Sequence, residues 1–192
     1  MKIIGLFLLI GGAAFAQNIS VGIRGGVPFT DAFSATKSAI GGFENIPKRY
    51  TIGPTLEIRL PARLGITFDI LYKNLAYRQA TAASAYEQSA KQFEFPLMLR
   101  YRFGADNIRP FVAGGPTFNK ISAGAVRDPV KFVHSSTAGI VLGAGIEIKA
   151  VLIRFTPEIR FTHRAAESFV DAINAQLHSN LNQAEFLMGL TF

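Results

Sequence analysis

Three histidines are the residues of this chain with the widest range of possible chemistry: His134, His163 and His178. His134 is followed by two serines, so a base and a nucleophile of an esterase stand side by side. The base also needs a carboxylate to orient it. Glu147 follows 13 residues later, about 40 Å away on an extended strand at ~3.3 Å per residue, which leaves Asp128 as the candidate. We therefore expect no catalytic residue, and a lipid-modifying hydrolase remains the weakest alternative.

Metal and cofactor sites have little support in this sequence. No two histidines have metal-ligand spacing, and the absence of cysteine excludes zinc–thiolate sites, iron–sulfur clusters and thiol nucleophiles. The paired glycines lack the strand-to-helix context of a phosphate-binding loop. The sequence therefore predicts neither a metal nor a cofactor.

The formal charge of +7 raises the question of an anionic partner. The lysines and arginines are scattered and form no run, so we expect no nucleic-acid binding. Attraction to anionic lipid headgroups, including lipopolysaccharide, fits a scattered excess better. The alternative is that the excess of positive charge indicates no particular binding partner.

The charged residues alternate with apolar ones at a period of two, and this pattern must come from strands. Each segment has about 10 to 14 residues, enough for a tilted strand to cross a bilayer. No segment after the leader reaches 18 consecutive apolar residues. We therefore predict an all-β fold, an eight-stranded antiparallel up-and-down transmembrane barrel. The predicted strands cover 18–27, 50–60, 63–75, 91–103, 109–120, 135–149, 151–164 and 182–192.

The connections alternate strictly between long and short, as in transmembrane barrels with short periplasmic turns and long external loops. One long connection contains Phe169, Ile173 and Leu177 at helical spacing, which predicts a short amphipathic helix over 166–178. This helix would either cap the barrel or lie on the membrane. An external ligand of unknown identity would meet the long connections, which are 28–49, 76–90, 121–134 and 165–181.

Residues 1–16 have the features of a cleaved secretory signal. Lys2 provides the positive charge, a short apolar run follows, and Ala14-Phe15-Ala16 fits the cleavage rule. A retained anchor helix is the alternative. We expect residues 17–192 to form one barrel domain in a bacterial outer membrane, reached through the general secretory route.

Alternation defines two faces of the barrel but not which one lies inside. A soluble lipocalin-like carrier would place the apolar face inside, and a membrane barrel would place it outside. The bulky apolar side chains would overfill an eight-stranded interior. The polar face carries arginines, which pair bidentately with carboxylates, and aromatic residues lie near the strand ends. We therefore predict an interior charge network of Arg24, Glu57, Asp69, Glu94, Arg100, Arg154, Glu158, Arg160 and Glu185.

Two groups within this interior network are predicted from position along the strands. Glu185 should bridge Arg160 and Arg24, because closure of the barrel brings their strands together. A second cluster nearer the short turns should contain Glu57, Asp69, Arg100, Arg154 and Glu158. Burial of these charges is tolerable only if each is paired and hydrogen-bonded.

The chain resembles the small eight-stranded outer-membrane barrels, the OmpA/OmpX-type and PorT-like outer membrane protein beta-barrel domain group. Three segments carry the resemblance: the Ala14-Phe15-Ala16 site, the Arg109–Gly115 stretch that opens the fifth predicted strand, and the terminal Leu190-Thr191-Phe192. The resemblance implies a membrane-embedded monomer and does not imply one function. It also implies an assembly signal read by the outer-membrane assembly machinery, carried here by Phe186, Met188, Leu190 and Phe192.

Four classes of function are weighed for this chain. The first is a structural or interaction scaffold with a filled polar interior and partner-binding external loops. The second is a narrow passive channel for small solutes, because inward glycines could leave gaps. A lipid-modifying enzyme and a soluble lipocalin-like carrier rank below these two.

Overall fold

A computed structural model describes residues 18–30, 33–35, 41–45, 49–81, 84–104, 107–122, 130–132, 136–166, 169–171 and 177–192. The predicted signal over 1–16, the cleavage site and His134 lie outside these residues. Among the described residues, no helix is both long and apolar enough to span a membrane.

The described chain is built from strands, and their order follows the alternating segments of the sequence. Their bounds are β1 (Ile19–Pro28), β2 (Phe33–Ala35), β3 (Gly41–Asn45), β4 (Tyr50–Arg59), β5 (Leu64–Asp69), β6 (Leu71–Thr81), β7 (Ser84–Arg102), β8 (Ile108–Ser122), β9 (Val130–Phe132), β10 (Ser136–Ala150), β11 (Ile153–Arg164), β12 (Phe169–Asp171), β13 (Leu177–Ser179) and β14 (Asn182–Thr191).

Eight antiparallel strands close into a barrel. Along the barrel wall the order is β1, β14, β11, β10, β8, β7, then β5 with β6, then β4, and β4 pairs back with β1. Only Ile70 separates β5 from β6, and both pair with β4 and β7, so together they act as one barrel strand. Closure leaves no free edge in the described wall, because each barrel strand pairs with a neighbour on both sides. The prediction of an eight-stranded up-and-down barrel is confirmed.

The two faces of the wall are chemically opposite, as the alternation predicts. On β7, Arg100 is 1% exposed whereas its neighbour Leu99 is 53% exposed. On β10, Ile140 points outward and is 60% exposed. Charged side chains therefore line the interior and apolar side chains cover the outside. This arrangement is the reverse of a soluble barrel and suits a lipid environment.

The barrel has two unlike ends. The short-turn end carries the three connections that follow β4, β7 and β10, which are short in sequence, and the long-loop end carries the longer ones. At the short-turn end the backbone takes positive φ angles at Ala62 (60°), Arg63 (65°) and Val151 (54°). Two successive positive φ angles in a two-residue hairpin turn are the mark of a type I′ turn, whose twist matches that of the flanking strands.

Aromatic side chains lie at both ends of the apolar outer face. At the long-loop end, Tyr72 is the middle ring of a row, with centroids 6.1 Å from Tyr50 and 5.6 Å from Phe93. At the short-turn end, Tyr101 and Phe103 meet edge to face at 5.1 Å. Rings in these positions suit the two interfaces of a membrane, where an aromatic side chain is partly apolar and partly wet.

The predicted connection over 76–90 is wrong in its extent. β6 continues to Thr81 and β7 begins at Ser84, with the pairing unbroken from Leu75 opposite Ala90 to Thr81 opposite Ser84. This part of the sequence is rich in alanine and polar residues and shows no apolar face. A hairpin that extends beyond a membrane has no lipid side to mark with apolar residues, which explains why alternation did not reveal it.

A second sheet joins three of the four long connections, in the order β2, β13, β12, β9. Phe169–Asp171 and Leu177–Ser179 are strands in this sheet, so the helix predicted over 166–178 does not extend over these residues. Residues 167–168 and 172–176 lie outside the described part of the chain. The backbone N–H and C=O groups of these residues bond to strands from other connections instead of to a helix of their own. Residue spacing within one connection cannot predict such pairing.

Candidate functional site

The barrel interior holds the densest chemistry in the described chain. Six cations and six anions are buried there, so the interior is balanced in charge and the net positive charge of the chain lies elsewhere. A balanced set can be buried because each charge can be paired. The cations are Arg24, Lys73, Arg100, Arg102, Arg160 and Arg164, and the anions are Glu57, Asp69, Glu94, Glu147, Glu158 and Glu185.

Four charges form a closed ring at the centre of the interior. Asp69 forms an ion pair with Arg24 Nε at 3.3 Å and accepts a hydrogen bond from Arg160 at 3.0 Å. Glu158 also contacts both arginines, Arg160 at 3.0 Å and Arg24 through a short ion pair. Each charge of this central ring therefore has two opposite neighbours. The ring joins β1, β5 and β11, which lie on different sides of the barrel.

The network continues from the central ring toward the short-turn end through Arg100. Its guanidinium bonds to Glu158 at 3.3 Å and to Glu57 at 3.1 Å. Glu57 also binds Arg102, which reaches Glu147 at 3.0 Å. Four carboxylates and four arginines thus form one connected system along the barrel axis.

The predicted cluster near the short turns is present in part. Glu57, Arg100 and Glu158 are joined directly, as expected. Asp69 belongs to the central ring instead. Arg154 is half-buried and donates to the Ser20 hydroxyl at 3.1 Å.

The predicted bridge by Glu185 is wrong. Its carboxylate pairs with Lys73 Nζ at 3.0 Å and accepts from the Thr51 hydroxyl at 3.1 Å. Lys73 also binds Glu94, at 2.6 Å, nearer the long-loop end than the central ring. Asp69 and Glu158 make the bridge between Arg24 and Arg160 that was assigned to Glu185.

Four interior charges are not among those named for the predicted network: Lys73, Arg102, Glu147 and Arg164. Their signal was available, because each lies on the same alternating face as the predicted residues. Lys73 lies two residues from the end of the predicted strand 63–75, but β6 runs on to Thr81, so this lysine lies well inside the barrel.

Apolar side chains fill the space beside the charges. Met98, Phe111, Ala113 and Val141 form one buried cluster inside the wall. The Arg100 guanidinium lies 4.0 Å from the Phe111 ring centroid, a cation–π contact that also covers the ring. An eight-stranded interior is just wide enough to be filled by side chains, and these residues occupy it in that way.

The inward glycines do not open gaps. A methyl group built on Gly22, Gly53 or Gly145 would come within 2.3 Å of a carbonyl oxygen on the neighbouring strand. At Gly143 it would lie 2.5 Å from Glu158 Oε1. These positions are therefore occupied by close backbone or by the charge network, which removes the argument for a channel based on glycine.

The residues predicted to carry an assembly signal lie on the outward face of β14 and just after it. Met188 and Phe192 are 44% and 59% exposed there. His163 faces outward near the long-loop end, where its Nδ1 lies 2.7 Å from Asn182 Oδ1. Among the described residues, no three His, Asp or Glu side chains are grouped so that they could hold a metal ion.

Comparison with known proteins places this geometry in a family. Residues 15–164 match the family model described as outer membrane protein beta-barrel domain. No curated protein matches the chain.

Several solved structures share the fold at low sequence identity. Outer membrane protein OprG of Pseudomonas aeruginosa matches with a TM-score of 0.62 at 12% identity, over 90% of this chain and 92% of that one. Neisserial surface protein A matches at 0.53 and 12%, over 90% and 94%. Outer membrane protein W of E. coli matches at 0.52 and 15%, over 91% and 96%. At these identities the likeness carries the fold alone.

Proposed function

This chain belongs to the outer membrane protein beta-barrel domain family, and from that premise we propose that it is a structural or interaction scaffold of the bacterial outer membrane. The barrel would hold the long-loop end outside the cell, where its strands present a surface to a partner. One observation carries the proposal: a connected, charge-balanced network crosses the interior beside Met98 and Phe111. A barrel whose interior is occupied in this way is suited to holding the long-loop end in place and not to conducting solutes.

The long-loop end supports an interaction role because paired strands continue there beyond the barrel wall and form an ordered surface. The β6–β7 hairpin extends the wall beyond the row of Tyr50, Tyr72 and Phe93, and β3 widens it by pairing with β6. Strands β2, β9, β12 and β13 form a separate sheet from three connections. Paired strands hold their shape at lower entropic cost on binding than unpaired loops do.

Conductance separates the scaffold from the narrow channel. The purified barrel, refolded in detergent and shown to shift in mobility on boiling, is added to a planar lipid bilayer. We expect no stepwise conductance above background, because the Arg24–Glu158 and Arg100–Glu57 pairs cross the interior. Reproducible steps from the folded wild-type protein would favour the channel and refute the filled scaffold.

The assignment of ends is tested by labelling intact cells with a membrane-impermeant maleimide. The chain has no cysteine, so single substitutions give an unambiguous signal. Ser84→Cys in the long hairpin should be labelled in intact cells. The matched variant Val151→Cys, in a short turn, should be labelled only after the outer membrane is opened. The reverse pattern would place the short turns outside and remove the basis for an external surface.

A further inference from the structure

Five polar atoms of the described residues that have neither a hydrogen-bond partner nor an ion-pair partner lie inside the barrel near the long-loop end. They belong to side chains that are at most 7% exposed. Polar atoms buried in this way are rarely left unpaired, because the loss of water is not compensated. The atoms are Gln92 Oε1, Asn119 Nδ2, Thr137 Oγ1, Arg164 Nε and Gln183 Nε2.

These side chains lie next to one another on five consecutive strands of the wall: β7, β8, β10, β11 and β14. Thr137 pairs in register with Asn119 across β8 and β10. Arg164 lies opposite Gly139, two residues along β10 from Thr137. The five positions therefore follow one arc of the inner surface.

The hydrogen bonds that are made leave mainly donors free. Gln92 Nε2 donates to Asn119 Oδ1 at 3.0 Å, which uses the acceptor of the Asn119 amide and leaves its NH₂. Arg164 donates to Gln183 Oε1 at 2.8 Å, which leaves the Gln183 NH₂ in the same way. With Arg164 Nε–H and the Thr137 hydroxyl, four donors remain without an acceptor.

Arg164 also differs from the other buried cations. Arg24, Arg100 and Arg160 each have carboxylates within 3.3 Å. Among the described residues, no carboxylate lies within ion-pair distance of Arg164, although it is 2% exposed. The two carboxylates at this level, Glu94 and Glu185, are both bound to Lys73.

We propose that Asn119, Thr137, Arg164 and Gln183, named here the donor cluster, form a binding site for a small oxyanion, a carboxylate or a phosphate group. Such a group brings several acceptor oxygens and a negative charge, and it would fill donors that the protein leaves open. The guanidinium of Arg164 offers the fork geometry that carboxylates and phosphates prefer. The inference goes beyond the scaffold role and does not depend on it, because the site lies above the network that closes the barrel.

The probes are sodium phosphate and sodium acetate, titrated into the refolded full-length barrel in detergent at constant ionic strength. Calorimetry should show saturable binding of one anion per barrel. The anion that binds more tightly identifies the class of ligand, a phosphate or a carboxylate. Wild-type protein that binds neither anion would overturn the proposal and leave water as the occupant of the cluster.

Variants locate the binding. Arg164→Gln should weaken it by about tenfold or more, because a charged hydrogen bond is lost. Lys149→Gln, which removes an exposed charge at the short-turn end, should leave it unchanged. Equal weakening by both variants would mean that the anion senses net charge rather than the donor cluster.

Asn119→Asp is a second variant that tests the site even if Arg164→Gln does not fold. The substitution keeps the oxygen that accepts from Gln92 and replaces the free NH₂ with a negative oxygen, so anion binding should be lost while the barrel folds. Each variant is first shown to change mobility on boiling. A folded Asn119→Asp barrel that binds the anion as well as wild type would refute the site.

Discussion

Arg160 and Glu185 lie directly opposite each other on β11 and β14, yet each turns to a different partner. Arg160 binds Asp69 and Glu158, each at 3.0 Å. Glu185 binds Lys73 at 3.0 Å. Adjacent backbone positions therefore do not decide the pairing inside this barrel. The side chains divide between a central ring and a separate group nearer the long-loop end.

The first prediction follows from this division. Glu158 contacts three arginines, Arg24, Arg100 and Arg160, whereas Glu185 contacts one lysine that keeps Glu94 as a second partner. Glu158→Gln should lower the free energy of unfolding by about 3–5 kcal/mol, because it leaves buried positive charge uncompensated. Glu185→Gln should cost about 1–3 kcal/mol. Urea unfolding in lipid vesicles, followed by circular dichroism, measures both, and equal losses would contradict the central position of Glu158.

A second prediction concerns Gly143. A methyl group here would lie 2.5 Å from Glu158 Oε1, and the carboxylate is held by its arginines and cannot easily move. Gly143→Ala should therefore destabilise the barrel by about 1–3 kcal/mol. The control is Gly25→Ala on the same kind of strand, where the nearest atom is Thr51 O at 3.8 Å. That change should stay within about 0.5 kcal/mol. If the two variants unfold at the same urea concentration, Glu158 is free to move aside.

The third prediction concerns the backbone at the short-turn end. Val151 has a φ angle of 54°, which a β-branched residue adopts only with strain. Val151→Asn should raise the free energy of unfolding by about 1 kcal/mol, since asparagine tolerates this conformation. Leu152→Asn, at an adjacent position that is 80% exposed, replaces a similar apolar group and should change it by less than about 0.5 kcal/mol. A gain of the same size from Leu152→Asn would assign the effect to lost apolar exposure instead.

The fourth prediction tests which face meets lipid. The chain has no tryptophan, so one introduced indole reports its own surroundings. Leu142→Trp, on the outward face of β10, should emit at short wavelength and be quenched by brominated lipid chains. Val151 lies in a short turn and is 87% exposed. The Val151→Trp variant should therefore emit at longer wavelength and be quenched by aqueous iodide. Quenching of the Leu142→Trp variant by iodide would place that face in water.

The alternating pattern of the sequence is enough to give the number of barrel strands and the two chemically different faces of the wall. The strand count and the two faces follow from a period of two, a local property of extended backbone that each segment displays independently of the others. The preference for arginine on the polar face, with bulky apolar residues on the other, was enough to predict the interior. The residues of the central ring, including Arg24 and Asp69, were all identified in this way.

Which charges meet inside the barrel becomes clear only from the folded structure. Distance along a strand gives the level of a side chain, but a contact across the interior depends on strand tilt, register and the direction of each side chain. Asp69, not Glu185, closes the ring with Arg160 for that reason. The same holds where no apolar face exists: the β6–β7 hairpin and the sheet of β2, β9, β12 and β13 are held by backbone pairing between distant segments, which alternation within one segment cannot reveal.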